Sequence, residues 1–448
     1  MLIHIAKKEA LEHLKSFRFL VAFIFIITTF FVMMFTRHFD YGSKRDDYLL
    51  RIKSQEIALE KYTSYSGNTA IDRPIIPPSP MEAIIDSAIM VGPGHSLDGD
   101  PVVALNIKLD MIALVGILGG LLALLLSYDA INREVNEGTV RLLLSTGVPR
   151  IKIILGKILG GSLVAILPIA IIFLITSIWL AITGGHSSDL NQWVSLLGIF
   201  LVSVFYIMFF YCLGTFVSSV VLDQTLSAFA CFGVWIMFVI IVPALSPNIA
   251  RSVVVVPDIG SINRQISHML NTEYNETFGR LLPPLLAQGL SMTEAQAKMK
   301  PELDIVVQSV TTRANAMREG YKNATTRQNK LSINLACISP YSIYLVAVEE
   351  LSGLSFERSQ HIDSLVSSWQ AIAREYMTHQ YNETRKSNPE FRSSDRMDVS
   401  GMPRFKYVEP SIGYKLSHAL QYILLLTAYF LLLPFMFVYA QYSKRRLF

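Results

Sequence analysis

Charge is scarce in this 448-residue chain. Only 17% of its residues are Asp, Glu, Lys or Arg, against about 25% in an ordinary soluble domain. Apolar residues make up 52%, and mean hydropathy is +0.41. This composition excludes a disordered protein, a coiled coil and a soluble nucleic-acid binder, and leaves a polytopic membrane protein with sizeable watery parts. Cysteine is equally sparse: Cys212, Cys231 and Cys337 are too few for a disulfide framework. The net charge of +4 is too small to require a polyanionic partner, so where the charges sit matters more than their sum.

Several kinds of chemistry are missing as well. No HExxH is present, so a zinc protease is excluded. No GxxxxGK[ST] occurs; Gly156-Lys157 lacks both the first glycine and the following Ser or Thr. No ionisable residue lies in the middle of a long apolar run, where proton relays and ion paths need one; Asp110, Asp129 and His418 stand only at the ends. The nine His show no ligand spacing, and the polar regions offer no nucleophile–base pair. The chain is therefore expected to carry no catalytic residue, no metal and no cofactor, and any work it does must be powered from outside.

What remains is apolar length. Six runs reach the roughly 20 residues a bilayer core demands: 17–36, 108–128, 153–183 with Pro168 inside it, 194–222, 226–245 and 416–441. The first is too long for a cleavable signal peptide, and no small-residue cleavage site follows it. Lys7, Lys8, Lys15 and Arg18 precede or open it; Arg133, Arg141, Arg150, Lys152 and Lys157 lie between the second and third runs or at the start of the third; Lys444, Arg445 and Arg446 follow the sixth. Six spans with both termini in the cytoplasm put all these cations on one side. Trp179 and Trp193 flank the short opposite loop.

The expected fold class is an all-α polytopic membrane protein. Six transmembrane helices carry a mostly helical extracytoplasmic domain built from two loops, 37–107 and 246–415. Helical patterns cover 43–62, 293–335, 341–352 with Gly353 as its stop, and 356–388; prolines crowd Pro74 to Pro80, and Val253–Val256 is the one strand-like stretch. Glu349-Glu350 reads as a solvated helix face. Residues 1–16 form an amphipathic helix at the lipid interface: Ile3, Ala6, Ala10, Leu14 and Phe17 share one face, with Lys7, Lys8, Glu12 and Lys15 elsewhere. Pro168 and Pro434 are expected to kink their spans. Gly116, Gly119, Gly120, Gly160 and Gly161 form small-residue surfaces for close helix packing.

The loop at 129–152 is the most patterned polar segment. Asp129 or Asn132 is placed to cap a helix. Gly138-Thr139 is placed to break one helix and cap the next, and Leu142, Leu143 and Leu144 give a short apolar helix stopped by Gly147 and Pro149. Taken alone, this describes either a short helix parallel to the membrane or an ordinary re-entry loop.

The same segment resembles the signature of type-2 ABC transporter permeases. It shows Glu134, then Gly138-Thr139, an apolar triplet and Ser145, then Pro149-Arg150, and Gly156-Lys157 entering the next span. Val135, Asn136 and Glu137 depart from the usual charge pattern after the first Glu. The six-span plan is similar to the family's. The large outer loops look like those of permeases for nitrous-oxide-reductase maturation and gliding motility.

The resemblance implies a half-transporter in a bacterial inner membrane, paired with a second permease copy or homologue. It is gripped by a separate ABC ATPase subunit that holds the ATP and Mg. The implied coupling residues are Glu134, Glu137, Gly138, Thr139, Arg141, Leu142, Leu143, Leu144, Ser145, Pro149 and Arg150. The leucines would seat in a groove of the ATPase, and Glu134 and Arg141 would sit at its rim. Export, or mechanical transmission to an extracytoplasmic protein, is the expected function. The alternative is a non-transporting membrane anchor or assembly scaffold whose outer domain binds partner proteins.

Overall fold

The computed structural model describes residues 2–61, 64–65, 74–85, 110–139, 145, 149–183, 190–388 and 390–443. The segment 140–144, with four of the expected coupling residues, lies outside them, as do Lys444, Arg445 and Arg446. Among the described residues the elements are helices, and the single β contact is an isolated bridge between Ser64 and Arg396. Val253–Val256 forms no strand. Val253 ends a helix, and the Val254 amide donates to the Ala250 carbonyl.

Six helices are long and apolar enough to cross a bilayer, and the chain is an all-α polytopic membrane protein. Helix α1 (Leu2–Leu14) precedes α2 (Phe17–Lys61), an unbroken helix of 45 residues. The apolar run at 17–36 and the polar helical pattern that begins at 43 thus belong to one helix, described as far as Lys61. The second span is built from α3 (Met111–Ala113), a π-helical turn (Leu114–Gly119) and α4 (Gly120–Ser127). The short α5 (Asn132–Asn136) follows, then α6 (Arg150–Thr183), which continues through Pro168. Next come α7 (Leu190–Val220), α8 (Gln224–Ile236), a second π-helical turn (Met237–Ile241) and α9 (Val242–Val253). The remaining helices are α10 (Ile259–Ala287), α11 (Met292–Ala336), α12 (Pro340–Ser352), α13 (Phe356–Ser387) and α14 (Ile412–Ser443).

Two compact units result. The second, whose described part is Pro243–Ala336, is a helical hairpin. Asp258 caps α10 by accepting the amides of Gly260 and Ser261 at 3.0 and 2.7 Å. These bonds hold its carboxyl below the ordinary value. Gly289, at φ +82°, makes the turn. A reciprocal Ser291–Glu294 capping box starts α11. Arg313 pairs with Glu273 across the hairpin, and Arg280 with Glu302 at 3.7 Å.

The first unit holds the main core. Its least expected member is α12, which packs against α7 and α14 with all 13 of its residues buried. Its ends follow the sequence. The Ser339 hydroxyl accepts the amides of Tyr341 and Ser342 at 3.1 and 3.3 Å, Pro340 opens the helix, and Gly353 at φ 71° closes it. Its burial does not: Glu349 and Glu350 are each 4% exposed, so the solvated face expected for them is corrected. Burial takes the whole circumference because neighbours stand on several sides. Tyr344 stacks on Tyr206 with centroids 4.5 Å apart and meets Ser203 at 3.2 Å.

Both π-helical turns are held by donors from other helices. The Tyr206 hydroxyl and the Trp235 indole donate to the carbonyls of Gly116 (2.6 Å) and Ile117 (3.3 Å), and the Ser339 hydroxyl donates to that of Phe238. A widened turn frees carbonyls that cannot stay unpaired in an apolar core.

Elsewhere in this unit, Ser79–Ala83 is pinned through Glu82, which meets Arg358 of α13 at 3.3 Å and Lys44 of α2 at 3.5 Å. A small second core of Trp369, Ala373, Met377, Met397, Val399 and Met402 closes α13 against the segment after it.

Candidate functional site

The expected coupling segment starts at the end of α4, and its geometry is set by its neighbours rather than by its own side chains. Neither Asp129 nor Asn132 caps α5. Instead Ser218 of α7 accepts the amides of Ile131 and Asn132 at 3.0 and 3.2 Å. Asn132 donates to the Val221 carbonyl at 3.2 Å. The segment therefore turns where α7 ends. Gly138, at φ +76°, stops α5 as expected from its freedom in the left-handed region. The Thr139 hydroxyl then folds back onto the Glu134 carbonyl at 3.2 Å.

Glu134 itself points inward. It is 6% exposed, and its carboxylate meets the Lys157 ammonium at 3.0 Å. Lys157, 2% exposed, also reaches Glu9 of α1 at 2.8 Å. One ammonium thus joins α1, α5 and α6. Glu9 is also 3.4 Å from His13 Nε2, and that nitrogen lies 3.1 Å from the Tyr211 hydroxyl on α7. Burial alone would raise the Glu9 pKa. The hydrogen bond from His13 and the charge of Lys157 outweigh it and hold the carboxyl down at about 2. One buried oxygen in this cluster, Glu134 Oε2, has no hydrogen-bond partner.

A second group of charges flanks the first. Buried Asp129 takes Arg18 at 2.9 Å and Arg133 at 3.9 Å, and Arg133 also lies 3.8 Å from Glu12. Arg18 rests over the Tyr128 ring. The N-terminal helix is therefore bound to this end of the bundle by two ion pairs, Glu9–Lys157 and Glu12–Arg133, while Arg18 of α2 holds Asp129.

Glycine makes the close approach possible. A methyl group at Gly160 would run into the Ala6 carbonyl, one at Gly156 would come within 2.8 Å of Ile5, and one at Gly161 would strike the Tyr211 hydroxyl. The small-residue surface expected on this span is thus a groove for α1 and a seat for Tyr211. The face of α1 turned to this groove is the one that carries Glu9 and His13. Ile3, Leu14 and Phe17 are 77%, 44% and 78% exposed, whereas Glu9 and His13 are buried.

The other expected residues separate by position. Glu137 and Gly138 are exposed, Thr139 is half-buried, Ser145 and Pro149 are exposed, and Arg150 opens α6. Arg141, Leu142, Leu143 and Leu144 lie outside the described residues. The structure adds Glu9, His13 and Tyr211, none of which the sequence singled out. Among the described residues no three His, Cys, Asp or Glu converge as a metal site.

This arrangement is a junction of buried ions at a segment tied to four helices. The family profile described as ABC-2 family transporter protein matches residues 3–445. No curated protein matches the chain. With six helices able to span a bilayer and a family match across nearly its whole length, the chain belongs to the ABC-2 transporter family and is a multi-pass membrane permease component of an ABC transporter.

Proposed function

We propose that this permease receives force from a separate ABC ATPase at the 134–149 segment and converts it into movement of its helices, for export or for mechanical transmission to an extracytoplasmic partner. The supporting observation is the anchorage of that segment. Ser218 on one side and Lys157 on the other tie α5 directly to α7 and α6, so a push on the segment is delivered to two spans at once. Its exposed described residues, Glu137, Gly138, Ser145 and Pro149, are the surface offered to the ATPase, and Arg141 and the Leu142–Leu144 triplet are proposed to act with them. ATP and Mg belong to that ATPase. Both termini and the 129–152 segment lie in the cytoplasm in this reading, as the basic residues favour. A second permease copy completes the transporter, and the polar regions between the first and second spans and between the fifth and sixth face outward to a partner protein.

The test is purification of the tagged chain with the ABC ATPase that accompanies it, followed by ATP hydrolysis in lipid vesicles. Hydrolysis stimulated by the wild-type permease, and lost when Gly138 and Thr139 are replaced by Val and Ala, is the expected result. Wild-type stimulation in that variant, or labelling of residue 137 from the outer face, overturns the reading. A chain that binds no ATPase would instead be the membrane scaffold.

A further inference from the structure

We infer that α1 is a moving part of the permease, locked by Lys157 and Glu9 to the segment that receives the ATPase's force and carried along with it. The inference rests on the coupling role proposed above and extends it to a helix outside the 134–149 segment. It also gives Glu134 and Lys157 a role within the chain rather than at the ATPase surface.

Three observations carry it. First, the Lys157 ammonium is shared between Glu9 at 2.8 Å and Glu134 at 3.0 Å, with all three side chains almost fully buried. Displacing α5 therefore pulls on α1 through a single group. Second, α1 cannot slide past α6. The backbone of Ala6 fills the notch left by Gly160, and Ile5 fills the one left by Gly156. His13 against Tyr211 fixes the far end of the same face. Third, the cluster is a poor device for stability alone. Buried ion pairs commonly stabilise no better than apolar side chains of the same volume. This one sets two carboxylates against one ammonium and leaves Glu134 Oε2 without a donor. Such a cluster holds its shape only while Lys157 stays between both acids, which specifies position. Lys157 and Glu9 are thus positioning residues: they touch neither nucleotide nor cargo and act through the geometry of α5 and α1.

The experiment uses the full permease with its ATPase in lipid vesicles, with Glu9→Gln as the principal variant because it is isosteric and leaves the Lys157–Glu134 pair in place. Lys157→Met is the stronger change, and Glu9→Asp is the conservative control. Spin labels at Lys8→Cys and Lys152→Cys, both on exposed positions, report the distance between α1 and α6. In the wild type that distance stays fixed between the nucleotide-free and vanadate-trapped states. In Glu9→Gln the distance distribution broadens and stimulated hydrolysis falls about tenfold while the ATPase still binds with its wild-type affinity. Glu9→Asp restores both readouts. Wild-type stimulation with an unbroadened distribution in both Glu9→Gln and Lys157→Met overturns the inference. If the wild-type chain binds no ATPase, the coupling reading fails, and the label distance in the permease alone still decides this one. Broadening on Glu9→Gln supports the lock, and an unchanged distribution overturns it.

Discussion

The Tyr206 hydroxyl donates to the Gly116 carbonyl at 2.6 Å, deep in the bundle, inside the π-helical turn of the second span. Removing that donor leaves a carbonyl unpaired where no water replaces it. Tyr206→Phe is expected to destabilise the fold by about 1–3 kcal/mol and to speed amide hydrogen exchange across Leu114–Gly120. Exchange in α10 and α11, which belong to the other unit, would not change. Protection at Gly116–Gly120 equal to wild type would show that the turn needs no latch.

Close packing makes a sharp contrast among glycines. Gly160→Ala puts a methyl group into the Ala6 carbonyl, and Gly161→Ala puts one into the Tyr211 hydroxyl. Each should cost about 1–3 kcal/mol, read as a lower thermal midpoint in detergent. Tyr211→Phe should partly rescue Gly161→Ala but not Gly160→Ala. Gly233 faces nothing within 4 Å, and Gly233→Ala is expected to be neutral or stabilising by up to about 1 kcal/mol.

Ser218 does the work of a helix cap from another helix. Ser218→Ala leaves the amides of Ile131 and Asn132 without their acceptor, at a cost of about 1 kcal/mol. Faster limited proteolysis within 129–149, with the spans intact, is the expected readout. Unchanged cleavage kinetics would mean the Lys157 tie alone holds the segment.

Acid should weaken the junction through Glu9. Its folded-state pKa of about 2 lies below the ordinary 4.5. The stability it contributes is therefore fully present above the unfolded value and is lost as pH falls from 4.5 towards 2. The thermal midpoint should drop between about pH 5 and pH 3 in the wild type and drop less in Glu9→Gln. Equal slopes in the two proteins would assign the acid sensitivity elsewhere.

Much of the architecture was legible in the sequence because it rests on local signals. The helices at 293–335 and 356–388, and the bounds of α12 with Ser339-Pro340 before it and Gly353 after it, follow from patterning and caps that act over a few residues. The six spans follow from apolar length. The heart of the site was not legible. Glu9 and Lys157 are 148 positions apart, and in α1 a glutamate beside Lys7, Lys8 and Glu12 looks like one more polar-face residue. Lys157 reads as one more cation at the start of the third span, because nothing local shows that it turns inward to two carboxylates. Glu349 and Glu350 fail for the same reason. An acidic pair in a short polar-flanked helix suggests solvent, and only the neighbouring α7 and α14 make it interior. The π-helical turns are equally hidden, since Tyr206, Trp235 and Ser339 supply their donors from other helices.

The unbroken α2 carries one more consequence. At 45 residues it is about 67 Å long, more than twice the roughly 30 Å thickness of a hydrocarbon core. A straight rod of that length amplifies small rotations at its base. A tilt of about 10° where Arg18 meets Asp129 would sweep the remote tip through roughly 12 Å. A bundle whose own rearrangement is slight can thereby make a broad gesture at a distance.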